Sequence, residues 1–252
     1  MTNFLDKLAV KWKEGKFVCC GLDKGQFEFD KSIIDQTADL VCCYKLNSAF
    51  YEAEGLGGLE GTIKYIKNKY PDIPIILDAK RGDIGNTNEA YAKALFDELG
   101  ADAVTVHPYL GKESLQPFLD RADRGIFVLV KTSNPGAGEF QDLEVYDPER
   151  SRRGKPLYLV VAEHVKDWGS NVGVVVGATY PDELKKVREI IGDLPILIPG
   201  VGAQGGDISF LKNGLNSQDT GIIVSSSRGI IFADNPRQAT LDLTSQIKEA
   251  LK

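Results

Sequence analysis

Cysteine is scarce in this chain and is not spaced for metal binding. The four cysteines form two adjacent pairs, Cys19-Cys20 and Cys42-Cys43. A structural zinc site needs a Cys-x-x-Cys type of spacing, which is absent. Neighbouring residues of a strand also point to opposite faces, so neither pair aims both sulfurs at one metal ion easily. We therefore expect reduced, buried strand cysteines in a cytoplasmic protein, and no metal site.

An excess of positive charge is also missing. The 252 residues include 30 Lys and Arg against 36 Asp and Glu, which gives a formal net charge of −6. Proteins that bind nucleic acids or anionic membranes over a broad surface are normally basic, so neither partner is expected. An anionic small molecule is still compatible with this balance, because a local cluster of cationic side chains can bind it.

Long hydrophobic runs are absent as well. No segment approaches the roughly 20 apolar residues that a membrane-spanning helix needs. Residues 1–10 carry Asp6 and Lys7 and lack the apolar centre of a secretion signal. These observations predict a cytoplasmic protein without a membrane anchor.

Short apolar runs rich in β-branched residues do recur along the whole chain. They occupy residues 17–22, 40–46, 73–79, 103–107, 126–131, 172–177, 195–199 and 221–225. Nearly continuous hydrophobic runs indicate strands covered on both faces, as in a parallel sheet. Amphipathic stretches such as 87–99 and 181–191 separate them, with helix starts at Asn86-Thr87 and at Pro181. Eight β-then-α units without an internal linker predict one (β/α)8 TIM barrel over residues 1–252.

A doubly wound open sheet is the competing architecture. It usually carries a Gly-x-Gly-x-x-Gly turn after its first strand. Here the first run continues into Gly21-Leu-Asp-Lys-Gly25, which lacks that pattern. One connection, residues 134–156, is long and rich in Gly, Pro and charge. Such a loop within a compact domain is often an active-site loop, and a disordered insertion is the alternative.

Charged residues follow the third apolar run. Asp78 and Lys80 are two residues apart, so in an extended strand they face the same way. In a barrel of this kind the chemistry lies at the carboxyl ends of the strands, and Lys45 ends the neighbouring run. With Asp83 on the following loop, two lysines and two aspartates form a candidate charge array. A purely structural ion-pair network at the barrel rim is the alternative, because an isolated Asp-x-Lys is compatible with both.

The last two runs indicate a phosphate site. Gly200-Val-Gly202 allows backbone N–H groups to approach an anion, and Ser225-Ser-Ser-Arg228-Gly229 adds hydroxyls, a guanidinium group and a predicted helix N-terminus. TIM barrels often bind phosphate after strands seven and eight. Glycines after strands are weak evidence alone, but together with Arg228 they favour a phosphorylated ligand.

The segment 77–87 resembles the signature of the orotidine 5′-phosphate decarboxylases, Asp-x-Lys-x-x-Asp followed by Ile-x-x-Thr. Asp78, Lys80, Asp83, Ile84 and Thr87 fill it without a gap. Four further segments, at 45–50, 105–109, 131–135 and 199–204, are similar to the second, divergent branch of that family. The resemblance runs from Asp23 to Arg228. It implies conversion of orotidine 5′-phosphate (OMP) to UMP and carbon dioxide, the last step of de novo pyrimidine biosynthesis, without a cofactor.

The same resemblance implies a role for each matching residue. It places Asp78 beside the substrate carboxylate and makes Lys80 the donor of the proton to C6. It assigns ribose contacts to Asp23, Lys45 and Asn47, and the pyrimidine to Ser133. Gln204, Arg228 and the backbone of Gly229 are expected to bind the phosphate. It further implies a homodimer in which Asp83 and Thr87 enter the active site of the other subunit.

Two other functions are kept open. Sugar-phosphate decarboxylases and aldolases of the same barrel superfamily share an Asp-x-Lys third strand but usually need Mg²⁺, and a metal-dependence assay separates them from the first interpretation. Ile84, Thr87 and Ser133 argue against these enzymes. The second alternative is a nucleotide-binding barrel without catalysis. Retention of all four charges argues against it, and a turnover assay tests it.

Overall fold

Eight parallel strands close into a barrel in this computed structural model, which describes residues 3–146, 154–201 and 208–252. Their bounds are β1 Val18–Leu22, β2 Cys43–Asn47, β3 Ile75–Arg81, β4 Ala103–Val106, β5 Gly125–Lys131, β8 Val172–Val176, β9 Ile196–Pro199 and β10 Ile222–Ser226. Around the barrel the strands neighbour one another in the order β1, β10, β9, β8, β5, β4, β3 and β2. The predicted (β/α)8 barrel is therefore confirmed.

Each predicted apolar run overlaps one barrel strand. The largest difference is at β2, which begins at Cys43 rather than at Leu40. The chain is still turning after the preceding helix at that point, because the Leu40 backbone N–H donates to the Thr37 carbonyl. An apolar run thus identifies the strand but not its first residue.

Helices follow the strands and cover the outside of the barrel. The longer ones are α1 Phe4–Lys13, α2 Phe27–Thr37, α3 Ser48–Glu54, α4 Gly57–Lys69, α5 Gly85–Ala92, α9 Leu157–Val165, α10 Pro181–Ile191 and α12 Pro236–Ala250. Four-residue helices are α6 Gly111–Ser114, α7 Gln116–Leu119, α8 Gly138–Gln141 and α11 Arg228–Ile231. A π-helical stretch, Lys93–Glu98, continues α5, and 3₁₀ turns occupy Pro135–Ala137 and Ser209–Gly214. The predicted start at Pro181 is confirmed, whereas α5 begins at Gly85, just before Asn86.

Side chains alternate between the inside and the outside of the barrel along every strand. On β4, Val104 packs in the large core between barrel and helices, whereas Ala103 packs in the smaller core inside the barrel. The inner core is apolar at the amino ends of the strands. Continuing the alternation towards the carboxyl ends places Lys45, Asp78 and Thr105 inside the barrel. The polar inner residues therefore meet at one end.

The opposite end of the barrel is closed by α1. Phe4 and Leu8 are buried in the inner core, and the Phe4 ring meets the Phe127 ring edge-on at 5.7 Å. The Trp12 indole N–H donates to the Ile222 carbonyl at 2.8 Å, which ties the helix to the start of β10. Access to the barrel interior is thus left to the carboxyl ends of the strands.

The cysteines are free and buried, as expected. The prediction that the two sulfurs of a pair point to opposite faces is correct for the first pair and wrong for the second. Cys19 and Cys20 face the inner and outer cores respectively. Cys42 and Cys43 both face the inner core, with their sulfurs 3.8 Å apart. The alternation rule fails for the second pair because Cys42 precedes β2 and is not part of the strand.

The long connection at 134–156 is folded where the structure describes it. Besides the turn at Pro135–Ala137 and α8, it contains a short antiparallel pair, β6 Glu144–Val145 and β7 Lys155–Pro156. Residues 147–153 lie outside the described part of the chain. Among the described helices, none is both long and apolar enough to cross a membrane.

Candidate active site

A cavity of about 990 Å³ opens at the carboxyl ends of the strands. That volume lies in the range of small-molecule sites. The predicted residues Lys45, Asp78, Lys80 and Ser133 line it. The other lining residues are Thr105, His107, Pro108, Tyr109, Leu129, Val130, Thr132, Asn134, Phe140, Gln141, Leu157, Tyr158, Val161, Val175, Leu197 and Pro199.

An ion-pair chain built on Asp78 forms part of the cavity wall. One carboxylate oxygen, Oδ2, accepts a hydrogen bond from Lys45 Nζ at 3.1 Å. The other, Oδ1, accepts from Lys80 Nζ at 2.7 Å and from the Thr105 hydroxyl at 2.8 Å. The Asp78 and Lys45 side chains are only 11% and 7% exposed, whereas Lys80 is 44% exposed. The Lys80 ammonium group is therefore the charge that a ligand in the cavity meets.

Electrostatics keep Asp78 and Lys45 ionised. Burial raises the pKa of Asp78, but the charges of Lys45 and Lys80 and the hydrogen bonds outweigh it and lower the pKa to about 2. For Lys45, burial lowers the pKa, and the carboxylates of Asp78 and Asp23 outweigh it, so that its pKa lies above the ordinary value. Burial and the nearby charge of Lys80 lower the pKa of His107 at the cavity rim. The buried charges of Asp78 and Lys45 are thus compensated by opposite charges.

Lys80 has an unusual backbone conformation. Its φ angle is +45°, a left-handed conformation that disfavours residues with a side chain. Such conformations cost about 1–3 kcal/mol and occur mainly at functional sites, where the surrounding structure enforces them. The sequence argument assumed a regular extended strand here. The Lys80 ammonium group does contact Asp78, but an irregular strand end brings it there.

Within one chain, the fourth charged residue beside Lys45, Asp78 and Lys80 is Asp23. Its Oδ1 lies 3.8 Å from Lys45 Nζ and, within the described residues, has no hydrogen-bond partner. The array predicted from sequence had Asp83 there. The Asp83 carboxylate instead accepts a hydrogen bond from the Ile84 backbone N–H at 2.7 Å. Neither Asp83 nor Thr87 lines the cavity of its own chain.

The predicted phosphate-binding residues follow β10. Arg228 and Gly229 begin α11 and are exposed, so the predicted helix start is confirmed. Ser227 Oγ donates to the Gly21 carbonyl at 3.1 Å, and a Cβ on Gly21 would lie only 2.9 Å from Ser227 Cβ. Glycine at this position therefore lets the first and last strands approach. Gly202 and Gln204 lie outside the described residues.

Of two further predicted residues, Ser133 lines the cavity, whereas Asn47, like Asp23, Arg228 and Gly229, is not among the lining residues. Ser133 is exposed after β5. Asn47 ends β2 beside Asp78, and its side-chain oxygen caps α3 by accepting from the Ala49 N–H at 3.3 Å. Within the described ranges, no group of three or more His, Cys, Asp and Glu side chains is arranged to hold a metal ion.

The structure brings three residues to the site that the sequence argument gave no role, namely Thr105, Lys131 and Asp142. Thr105 bonds to Asp78, and its signal was a single hydroxyl at an inward position of an apolar strand. Lys131 is fully buried and pairs with Asp142 of the loop that follows β5. Lys131 also lies over the ring of Tyr158, a residue of the cavity wall. Only tertiary contacts identify this second pair.

Comparison with known proteins identifies the family of the chain. The model of the orotidine 5′-phosphate decarboxylase / HUMPS family matches residues 16–243. An orotidine 5′-phosphate decarboxylase of Ralstonia pickettii is 44% identical, with 98% of each chain covered. One of Thermomicrobium roseum is 52% identical over 84% of this chain and 75% of its own. The structure of Leishmania donovani OMP decarboxylase superposes with a TM-score of 0.89 at 38% identity, covering 99% of this chain and 98% of that one. The chain therefore belongs to the orotidine 5′-phosphate decarboxylase / HUMPS family.

Proposed function

We propose that this chain decarboxylates OMP to UMP and carbon dioxide in pyrimidine biosynthesis, with Lys80 as the proton donor. The observation that carries this assignment is the Lys45–Asp78–Lys80 ion-pair chain that lines the cavity. The relatives that cover nearly all of this chain bear the name of the same enzyme.

The reaction breaks the bond between C6 of the pyrimidine and its carboxylate. Carbon dioxide leaves, and the electron pair stays on C6, where the ring delocalises it poorly. A fixed ammonium group stabilises such localised charge strongly where water is excluded. Lys80 supplies that ammonium group and then transfers one proton to C6, which gives UMP and a neutral amine that regains its proton from solvent.

Asp78 holds the proton donor in position. Both of its oxygens accept hydrogen bonds, and its pKa of about 2 keeps it ionised at neutral pH. Repulsion between Asp78 and the substrate carboxylate is a further contribution, because it raises the free energy of the bound substrate relative to the transition state. A divalent cation on Asp78 would have to displace an ammonium group. This arrangement favours a reaction without a cofactor.

The remaining contacts of the substrate are assigned along the rim. The free oxygen of Asp23 faces Lys45 and suits a ribose hydroxyl, with Asn47 beside it. Ser133, which lines the cavity, is assigned the pyrimidine edge. Arg228, the Gly229 backbone and Gln204 bind the phosphate. Binding energy from that remote group helps assemble the site and lowers the barrier.

The functional unit of this proposal is a homodimer. Asp83 and Thr87 follow β3, on the loop before α5 and within α5, and the family signature at 77–87 implies that they enter the site of the partner. Exposed apolar side chains also follow β2, β3 and β4 in the chain, namely Phe50, Leu56, Ile84, Tyr109 and Leu110. The free, buried cysteines fit a reducing compartment, so we place the enzyme in the cytoplasm.

The decisive experiment follows OMP consumption by UV absorbance, with and without a chelator. We expect turnover that the chelator does not reduce. Loss of turnover with the chelator would show that the decarboxylation needs a metal ion, whereas no OMP turnover together with Mg²⁺-dependent turnover of a sugar phosphate would favour the sugar-phosphate enzymes. UMP binding without any turnover would favour a catalytically silent barrel.

The assignment of Lys80 makes a separate prediction. Lys80→Ala should lower turnover by at least about 1,000-fold, because it removes both the proton and the charge that stabilises the carbanion. UMP affinity, measured by calorimetry, should change little. Lys64→Ala, which removes an exposed lysine paired with Glu60 on α4, is the control. Retention of activity within about tenfold, or about 1.4 kcal/mol in the barrier, contradicts the assignment.

A further inference from the structure

The pairing of β3 with β4 is irregular beside the active site. Leu77 pairs with Val104, but the next pair is Arg81 with Val106. Three residues of β3, numbered 78–80, therefore lie opposite Thr105 alone. Such bulges interrupt the ladder of backbone hydrogen bonds and redirect side chains, often beside active sites. Here the irregular segment contains Asp78 and Lys80, and Lys80 has a φ of +45°.

The Thr105 hydroxyl replaces the missing backbone partner. The Lys80 backbone N–H donates to Thr105 Oγ1 at 3.0 Å, and Thr105 Oγ1 donates to Asp78 Oδ1 at 2.8 Å. The ionised Asp78 carboxylate can only accept, so the single hydroxyl proton of Thr105 is donated to Asp78, while the hydroxyl oxygen accepts from the Lys80 N–H. Thr105 is only 1% exposed, which leaves these two contacts without competition from bulk water. One side chain thus binds both the main chain of Lys80 and the carboxylate that faces its ammonium group.

We propose that Thr105 is a positioning residue for the decarboxylation, acting through Lys80 and Asp78. This inference rests on the proposed function. Its hydroxyl holds the left-handed turn at Lys80 and the Asp78 carboxylate in one fixed arrangement, so that the ammonium group is aimed at the reacting carbon. Thr105 does not form part of the predicted ribose and phosphate contacts. Its loss should therefore affect the chemical step more than binding.

The test compares Thr105→Val with Thr105→Ser. Valine keeps the shape and removes the hydroxyl, which leaves the Lys80 N–H without its partner. Serine keeps the hydroxyl and removes a methyl group. Thr62→Val is a matched control, because Thr62 is equally buried and donates to Asp30, away from the site, at 3.3 Å. Single-turnover decarboxylation, KM for OMP, UMP affinity and thermal unfolding are measured for each variant.

We expect Thr105→Val to slow the single turnover by about 10- to 100-fold, as is common when a reacting group is slightly misplaced. KM and UMP affinity should stay within about threefold of wild type, and Thr105→Ser should restore most of the rate. Equal rates for Thr105→Val and wild type would overturn the inference. So would a Ser variant as slow as the Val variant, or a loss matched by Thr62→Val, since packing would then be the cause. If wild type itself fails to decarboxylate OMP, the proposed function fails first.

Discussion

Two buried aspartates of this fold have pKa values that shift in opposite directions. The pKa of Asp78 is lowered to about 2, because two ammonium groups outweigh its burial. Burial raises the pKa of Asp30 to about 6, since it meets only the hydroxyls of Tyr51 and Thr62. Within the described residues, Asp30 Oδ1 has no hydrogen-bond partner. At the level of single residues, the partner and not the burial decides the sign of the shift.

Asp30 predicts a pH dependence of stability. Its pKa is near 6 in the folded protein and near 3.8 in the unfolded chain, so only the folded protein holds this proton between those values. Stability should therefore fall as pH rises through that window, by about 3 kcal/mol from this residue. Asp30→Asn should remove this contribution, as urea unfolding at pH 4.5, 5.5 and 7 would measure. Asp72→Asn, an exposed loop position, is the control, and parallel curves for wild type and Asp30→Asn would contradict the prediction.

Arg228 makes a prediction about ligand binding. Arg228→Ala should weaken UMP binding by about 10- to 100-fold, the usual effect of losing a hydrogen bond to a charged group. Uridine, which lacks the phosphate, should bind with unchanged affinity. Arg237→Ala removes an exposed arginine paired with Asp39 and serves as the control. Equal losses for UMP and uridine would show that Arg228 does not contact the phosphate.

At the scale of elements, the loop after β5 is attached to the barrel by a buried lysine. Lys131 is fully buried, pairs with Asp142 and lies over the rings of Tyr158 and Tyr180, 5.3 and 4.6 Å from their centres. Beside it, the Thr132 backbone N–H donates to Gln141 Oε1 at 3.0 Å. These contacts hold α8 beside the cavity, so that Phe140 and Gln141 line it.

The contact between Lys131 and Asp142 predicts that replacing one residue destabilises the protein more than replacing the other. Lys131→Met fills an apolar space and leaves Asp142 half exposed, so stability should change little. Asp142→Asn removes the negative charge opposite a fully buried ammonium group and leaves it the amide oxygen and the two tyrosine rings, which should cost about 1–3 kcal/mol. Thermal unfolding should therefore show the larger loss for Asp142→Asn. Both variants should raise KM for OMP and speed proteolysis of the loop. Equal stabilities would mean that the pair is not buried in solution.

At the scale of the whole molecule, the barrel places the proposed site and the proposed interface side by side. Five of the exposed apolar residues, Phe50, Leu56, Ile84, Tyr109 and Leu110, follow β2, β3 and β4, which are neighbours in the barrel. Lys45, Asp78 and Lys80 lie at the ends of two of these strands. A two-fold dimer formed through this sector would bring Asp83 and Thr87 of each chain to the cavity of the other.

Subunit mixing tests this arrangement. Chains with Lys80→Ala and chains with Asp83→Ala should each be inactive alone. After exchange, each heterodimer holds one site with both defects and one intact site, so activity should recover to about a quarter of wild type per site at equal, random mixing. A mixture of Lys80→Ala and Asp78→Ala chains is the control and should stay inactive, because both defects belong to one chain's part of the site. Demonstrated exchange without recovery in the first mixture would mean that each site is built from a single chain.

The sequence by itself determined the architecture and the central motif. Strands that are covered on both faces must be apolar nearly throughout, so the eight strands are visible as eight apolar runs. Helix bounds such as Pro181–Ile191 follow from an amphipathic pattern with proline at its start. Asp78 and Lys80 stand out because charges at the end of an apolar strand must lie at the open end of a barrel. Local pattern is sufficient for these features, since each depends on residues close together in the chain.

Only the tertiary structure decided which distant residues meet. Asp23 rather than Asp83 faces Lys45 within one chain, because β1 neighbours β2 in the closed barrel. The left-handed turn at Lys80 and the hydroxyl that holds it depend on a register shift against β4, which no pattern within β3 reveals. The contact of Lys131 with Asp142 likewise depends on how a loop folds back. Contacts of this kind arise from the closure of the barrel and its irregularities, and these are properties of the packed molecule, beyond any single segment.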